Sequence, residues 1–229
     1  AGWDQLQKEL PHPTDITLYE AHIRDFSIIE ETVPEGHRGT YRAFTHNGEN
    51  GTELSNAMAH LKRLSGSGLT HLHLLPINDI ASIKEEKNDR VDLDDPFNRI
   101  CEVIGTNEQL SEDCQNYGTT TIREVFESFA TDDQTTLEIQ RIYRSPEHRN
   151  KLADYDAFNW GYDPFHFNVP EGSYSTNPEG VQRILETRQM VQALDEIGLN
   201  IVVDVVYNHT HATGLSRFSV LDKVVPDYY

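Results

Sequence analysis

Asp204 stands inside NIVVDVVYNH, residues 200–209, with valine or isoleucine on both sides. An ionised carboxylate in such surroundings is costly unless it is paired or hydrogen-bonded. It reads either as a functional group at the end of a buried strand or as a brace for a neighbouring loop. Asn208 and His209, just beyond it, add polar groups that favour the first reading. Two His-x-His pairs, His71/His73 and His209/His211, are spaced so that a strand would turn both imidazoles of a pair to one face. Such a pair could hold a metal or simply pack in a core. The third feature is FNWGYDPFHFNVPEGSYSTNPEG, residues 158–180, which gathers aromatic rings around prolines and glycines. It shows no helical or strand period and is read as an irregular loop. Flat rings on such a loop suit the apolar C–H face of a sugar, or they plug a cavity. Trp160 and Tyr162, either side of Gly161, are expected to be exposed, with Asn159, Asp163 and His166 as polar neighbours.

The elements that must position these groups follow from periodicity. Residues 15–26 (DITLYEAHIRDF) and 69–77 (LTHLHLLPI) read as strands. Between them, Leu54, Ala57, Met58, Leu61 and Leu64 form a helical stripe stopped by SGSG. After residue 180, Val181, Ile184, Leu185, Val191 and Leu194 mark the expected buried face of a second helix, with Asn177 as N-cap and Pro178 in the first turn. The apolar run from 200 then reads as a strand buried on both faces. Residues 80–157 differ in texture: polar, acid-rich and irregular, with helical islands such as Ile122, Val125, Phe126 and Phe129. They are expected to form a long insertion. The order predicts an α/β fold, the first three βα units of a (β/α)8 TIM-type barrel, with the insertion after the second strand. Three strands do not close a barrel, so the remainder is expected beyond residue 229. No glycine-rich phosphate loop follows a strand, which argues against a nucleotide fold.

Acidic residues outnumber basic ones 38 to 19, a formal charge of −19 that repels phosphate backbones and anionic lipid. Neither nucleic acid nor a membrane span is expected as a partner, and no signal peptide is visible in the chain. Cys101 and Cys114 either close a short disulfide or remain two free thiols.

Four segments carry a resemblance. YEAHIRDFS (residues 19–27), GLTHLHLLP (68–76), NWGYDPFHF with VPEGSYST, and DVVYNHT (204–210) resemble type I pullulanases, debranching enzymes of the α-amylase family of glycoside hydrolases. SVLDKVVPDYY at residues 219–229 and an insertion carrying two cysteines resemble the same group. Phe158 departs from the tyrosine usual there. The resemblance implies a retaining hydrolase that cleaves α-1,6 branch linkages in pullulan, limit dextrins or amylopectin by double displacement. It implies that Tyr162 stacks on the sugar at the cleavage point and that His209 hydrogen-bonds that sugar; Trp160 and Asp163, read from the loop's own residue types, are expected to bind substrate beside them. Asp204 and Asn208 would support the site. The nucleophile and the acid/base lie on later strands in that family, so they are expected downstream of Tyr229 and the chain alone is expected to be inactive. No cofactor is certain; calcium enters only as a structural ion of the full-length enzyme. The partner is an α-glucan, and the location is secreted or at a bacterial cell surface. Competing expectations are an isoamylase or other α-amylase-family fragment, a non-catalytic glucan-binding protein, and a metallohydrolase using the His-x-His pairs.

Overall fold

Leu72 and Leu74 alternate with His71 and His73 along one short strand, and in the computed structural model that strand is the middle of a parallel sheet. The structure describes residues 12–105, 108–128 and 154–227, with positions 133, 137 and 152. Phe129, Tyr228 and Tyr229 lie outside the described residues. The chain divides into two compact units, residues 1–81 with 160–229, and residues 82–159.

In the first unit the elements are β1 (Leu18–Ala21), α1 (Asn56–Gly66), β2 (His71–Leu74), β3 (Asn78–Ile80), β4 (Pro164–Pro170), α5 (Gln182–Glu196), β5 (Asn200–Val203) and a short α6 (Leu221–Val224). The second unit contributes α2 (Asn98–Ile104), α3 (Glu108–Tyr117) and α4 (Ile122–Glu127). The sheet order is β1-β2-β5, both pairings parallel, with helices in the connections. This is the βα repetition the sequence predicts.

Local differences have local causes. β1 covers only Leu18–Ala21, because the amides of Phe26 and Ile28 turn back to the carbonyls of His22 and Arg24. β5 stops at Val203, and its side chains are half-buried or exposed rather than enclosed. The aromatic segment is not wholly irregular: Pro164–Pro170 forms β4, antiparallel to β3, with register shifts that hide the period. Proline at both ends is compatible with an edge strand, where no ladder donor is needed.

Helix α1 starts at Ser55, whose hydroxyl accepts from the Met58 amide at 3.2 Å. Met58 and Leu61 are its buried side chains. Helix α5 begins later than Asn177 predicts. Asn177 instead accepts from the Glu179 amide at 2.9 Å in a local turn, and the helix runs from Gln182. Its buried face is Glu186, Met190, Ala193 and Leu194, while Val181 (68% exposed), Ile184 and Leu185 face solvent. Glu186, fully buried, instead ties the preceding turn to the helix. Its carboxylate accepts from the Ser175 hydroxyl and Thr176 amide, both at 2.9 Å, from the Thr176 hydroxyl, and from Gln182 at 2.9 Å. Burial pushes this carboxyl up, but the donors outweigh it and hold it below the ordinary range.

In the second unit Phe97, Ile100, Ile104, Leu110, Ile122 and Val125 form the core. Helix α4 opens on a capping box: Thr121 accepts from the Glu124 amide while Glu124 accepts from the Thr121 amide. Cys101 on α2 and Cys114 on α3 form a disulfide with a Cα–Cα distance of 6.6 Å across 13 residues. Closing a loop of this size stabilises by about 3 kcal/mol. Reduction, or Cys101→Ser with Cys114→Ser, is expected to lower the unfolding midpoint of this unit correspondingly, read as loss of hydrogen-exchange protection over residues 97–125. Unchanged protection would mean that the core alone fixes α2 on α3.

Candidate functional site

The three parallel strands end level: Ala21 pairs with Leu74, and Leu74 with Val203. The ladder runs one residue further, since the Leu75 amide donates to Ala21 O at 3.0 Å and the Asp204 amide to Leu74 O at 2.9 Å. Asp204 therefore sits at the carboxyl edge of the sheet, half-buried, at the place where α/β folds present their reactive groups.

Two more sequence-predicted residues meet it there. The Tyr162 hydroxyl donates to Asp204 Oδ2 at 2.7 Å. That hydrogen bond, with some burial, pushes the phenol up to about 12, so Tyr162 remains neutral at any working pH. His209 Nε2 donates to the Tyr162 carbonyl at 2.7 Å, which fixes its proton on Nε2 and leaves Nδ1 as the other polar atom of the ring. One side chain thus holds the phenol and another holds the backbone of the same tyrosine. Tyr162 itself stays 43% exposed, and Trp160 59%.

Gly161, between these two residues in the chain, sets the path of the segment. Its φ is +88°, and a Cβ on it would lie 2.6 Å from the Pro76 carbonyl oxygen and 2.9 Å from Pro76 Cβ. Only glycine lets the backbone pass so close to the end of the second strand. The segment is held again where the Ala81 amide donates to the Asp163 carbonyl at 3.0 Å.

Asp163 pairs with His211 at 3.6 Å, and His211 packs edge-on against Phe218 with ring centroids 5.3 Å apart. The loop after β5 is thereby tied to the Tyr162 segment twice, through His209 and His211. Asn208 is exposed on that loop. His166 and Asn159 are committed elsewhere, to Asp79 and to the Ser82 hydroxyl at 2.7 Å respectively. The His-x-His pairs separate as well. His71 is buried beside the Thr70 hydroxyl (2.8 Å), His73 lies 4.0 Å from Glu20, and His209 and His211 turn to Tyr162 and Asp163. Among the described residues none of the four joins a cluster of three metal-ligating side chains.

Sequence reasoning missed a second layer. His22, immediately after β1, is buried; the Asp25 amide donates to its Nδ1 at 3.3 Å, so Nε2 carries the proton toward the Tyr174 hydroxyl at 3.0 Å. Glu171 is fully buried and accepts from the amides of Ile80 (2.6 Å) and Ser173 (2.8 Å). Burial pushes its carboxyl up to about 7. Neither residue stood out in the sequence: His22 lies inside the strand expected over residues 15–26, and Glu171 inside the aromatic segment read as a loop.

Residues 80–158 match the family described as the Pullulanase Ins domain. All of the chain aligns with pullulanase of Klebsiella pneumoniae at 42% identity over 238 residues, and with "Pullulanase 1, chloroplastic" of Arabidopsis thaliana at 38% over 232. Over its whole length the chain is similar to pullulanases. It covers 21% of the first of those relatives and 20% of the second, so it spans about one fifth of the curated pullulanases it matches. The fold agrees. A crystal structure of Klebsiella pneumoniae pullulanase complexed with maltotriose matches with a TM-score of 0.78 at 42% identity, over 100% of this chain and 21% of that one. Pullulanase from Bacillus acidopullulyticus matches over 100% of this chain and 19% of that one, with a TM-score of 0.59 and 29% identity. Among the described residues no helix is long and apolar enough to cross a membrane.

Proposed function

We propose that these residues form the front of the barrel of a retaining debranching glycoside hydrolase, acting on α-1,6 linkages of pullulan, limit dextrins or amylopectin. The observation that carries the reading is the convergence of Tyr162, Asp204 and His209 at the carboxyl edge of the parallel sheet, with an exposed ring held from two sides. In this reading the Tyr162 ring is a preorganised platform for a glucosyl unit, Trp160 extends it, and Nδ1 of His209 meets a sugar hydroxyl. Asp163, fixed by His211, and Asn208 line the same mouth. Asp204 positions Tyr162 and makes no covalent bond; the nucleophile and acid/base are assigned to later strands of the parent enzyme. The disulfide supports an oxidising, secreted or cell-surface location.

The test is reducing-sugar release from pullulan by the full-length protein. Tyr162→Ala is expected to lower kcat/KM about a hundredfold, roughly 2.7 kcal/mol of transition-state stabilisation. The 229-residue chain by itself is expected to release none. Full activity of Tyr162→Ala would remove the platform from the mechanism, and release by the isolated chain would relocate the catalytic carboxylates.

A further inference from the structure

A second concave site lies away from Tyr162. The short helical turn Tyr41–Thr45, the loop through residue 52 and the second half of α5 line an open pocket of about 300 Å³. That is the lower end of the range in which small-molecule sites fall. Glu196, on its wall, stands four residues before β5 begins. The pocket therefore belongs to the strand-start end of the sheet, whereas Asp204 marks the opposite end.

Hydrogen bonds cross-link its walls. Glu196 accepts from Asn47 at 2.8 Å, Asn50 at 3.0 Å and Gln192 at 3.3 Å. Asn47 in turn accepts from the Glu49 amide at 3.0 Å and the Thr52 hydroxyl at 3.2 Å, which closes the loop on itself. Glu49 is paired with Lys62 at 3.0 Å. Against these satisfied groups, Arg42 also lines the pocket, and its buried Nε has no hydrogen-bond partner among the described residues. A buried donor left unmade is costly and asks for an acceptor.

The lining selects the class of ligand. An anion would meet Arg42 but also the carboxylates of Glu49 and Glu196. A cation would meet Arg42. A neutral polyhydroxyl ligand serves every group, because one hydroxyl accepts from Arg42 while others donate to a carboxylate or exchange hydrogen bonds with Thr45 and Gln189. We propose that this pocket is a second, non-hydrolysing site that takes one glucosyl unit of an α-glucan. The choice of glucan among polyhydroxyl ligands rests on the proposed function. A long glucan would then be held at both ends of the sheet, and its effective concentration at the first site would rise.

The experiment is hydrogen exchange of the full-length protein with saturating maltotriose, read on peptides covering residues 41–52 and 186–196. Protection there is expected in the wild type and in Tyr162→Ala. It is expected to fall at least fivefold in Gln189→Ala/Gln192→Ala, both surface positions of α5, and in Arg42→Met. Hydrolysis of short substrates is expected to remain unchanged in the Gln189→Ala/Gln192→Ala protein. No maltotriose-dependent protection of these peptides would overturn the inference. So would protection that the pocket variants leave intact, or stronger protection by inorganic phosphate than by maltotriose. Protection without any pullulan hydrolysis would sink the proposed function and leave this site standing; hydrolysis without protection would do the reverse.

Discussion

Gly161→Ala is expected to cost the full-length protein about a hundredfold in pullulan hydrolysis while leaving most of the fold in place. The substitution changes one methyl group, yet that methyl would sit 2.6 Å from the Pro76 carbonyl oxygen, a backbone atom that cannot rotate away. The φ of +88° adds strain for any side chain, of order 1–3 kcal/mol. The segment can relieve both only by lifting off the end of the second strand. Tyr162, the next residue, then loses its register with Asp204, and its carbonyl moves from His209. A displacement of about 1 Å at a positioning group costs about 10² in rate. The comparison that isolates the effect is Gly161→Ala beside Tyr162→Phe. The latter keeps the ring and removes only the hydrogen bond to Asp204, worth about 1.5–3 kcal/mol when an acceptor is charged. If Gly161→Ala hydrolyses pullulan within threefold of wild type, with unchanged far-ultraviolet circular dichroism, the approach to Pro76 does not set the platform.

Much of this geometry was legible from residue types. The alternation around His71 identified the middle strand, and the Met58 and Leu61 spacing identified α1, because burial of one face leaves a period in the chain. Asp204 was conspicuous because a carboxylate among valines needs a partner. Its partner, Tyr162, lies 42 residues earlier, and only a resemblance to a known family connected the two. What stayed illegible depends on tertiary hydrogen bonds. Asn177 and Pro178 spell a helix start, but Glu186, inside the helix, draws residues 175 and 176 onto itself and moves the start to Gln182. Of the stripe expected to be buried, Leu194 is in the core, but Val181 before α5 and Ile184 and Leu185 in its first turn face outward, so the stripe was right only toward the helix's C-terminal end. β4 was hidden because shifts in its pairing with β3 break the two-residue period. Glu171 left no pattern at all, being one acid in a loop-like run whose burial is decided by β3 and the turn after β4.

That same Glu171 gives a pH dependence of unusual sign. Its neighbours Ile80 and Ser173 donate to it, which favours the carboxylate, but burial opposes ionisation more strongly and the nearby charge of Asp79 adds to it. The folded protein therefore keeps its proton up to about pH 7, whereas the unfolded chain releases it near the ordinary 4.5. Between those values the folded state binds more protons than the unfolded, so stability falls as pH rises. The contribution is fully present below 4.5 and lost as pH climbs through about 7; the gap corresponds to about 3 kcal/mol at about 1.4 kcal/mol per pH unit. Other groups act the opposite way. His37 and His46, ring nitrogens 2.9 Å apart, are both held below the ordinary imidazole range by burial first, with Arg42 adding to it, and their contribution is lost as pH falls below 6.5. The Glu186 contribution is lost in acid as well, since its carboxyl lies below the ordinary value. The raw stability profile is thus a composite, and the informative quantity is the difference between wild type and Glu171→Gln, in which the histidines and Glu186 are unchanged. Urea unfolding from pH 4.5 to 7.5 is expected to show that difference shrinking by about 3 kcal/mol as pH rises, because only the wild type must ionise a buried acid. A difference that is constant with pH would mean that Glu171 is already ionised at pH 4.5, its charge carried by the Ile80 and Ser173 amides. In that case the turn after β4 would be an anion-stabilising nest rather than a proton store.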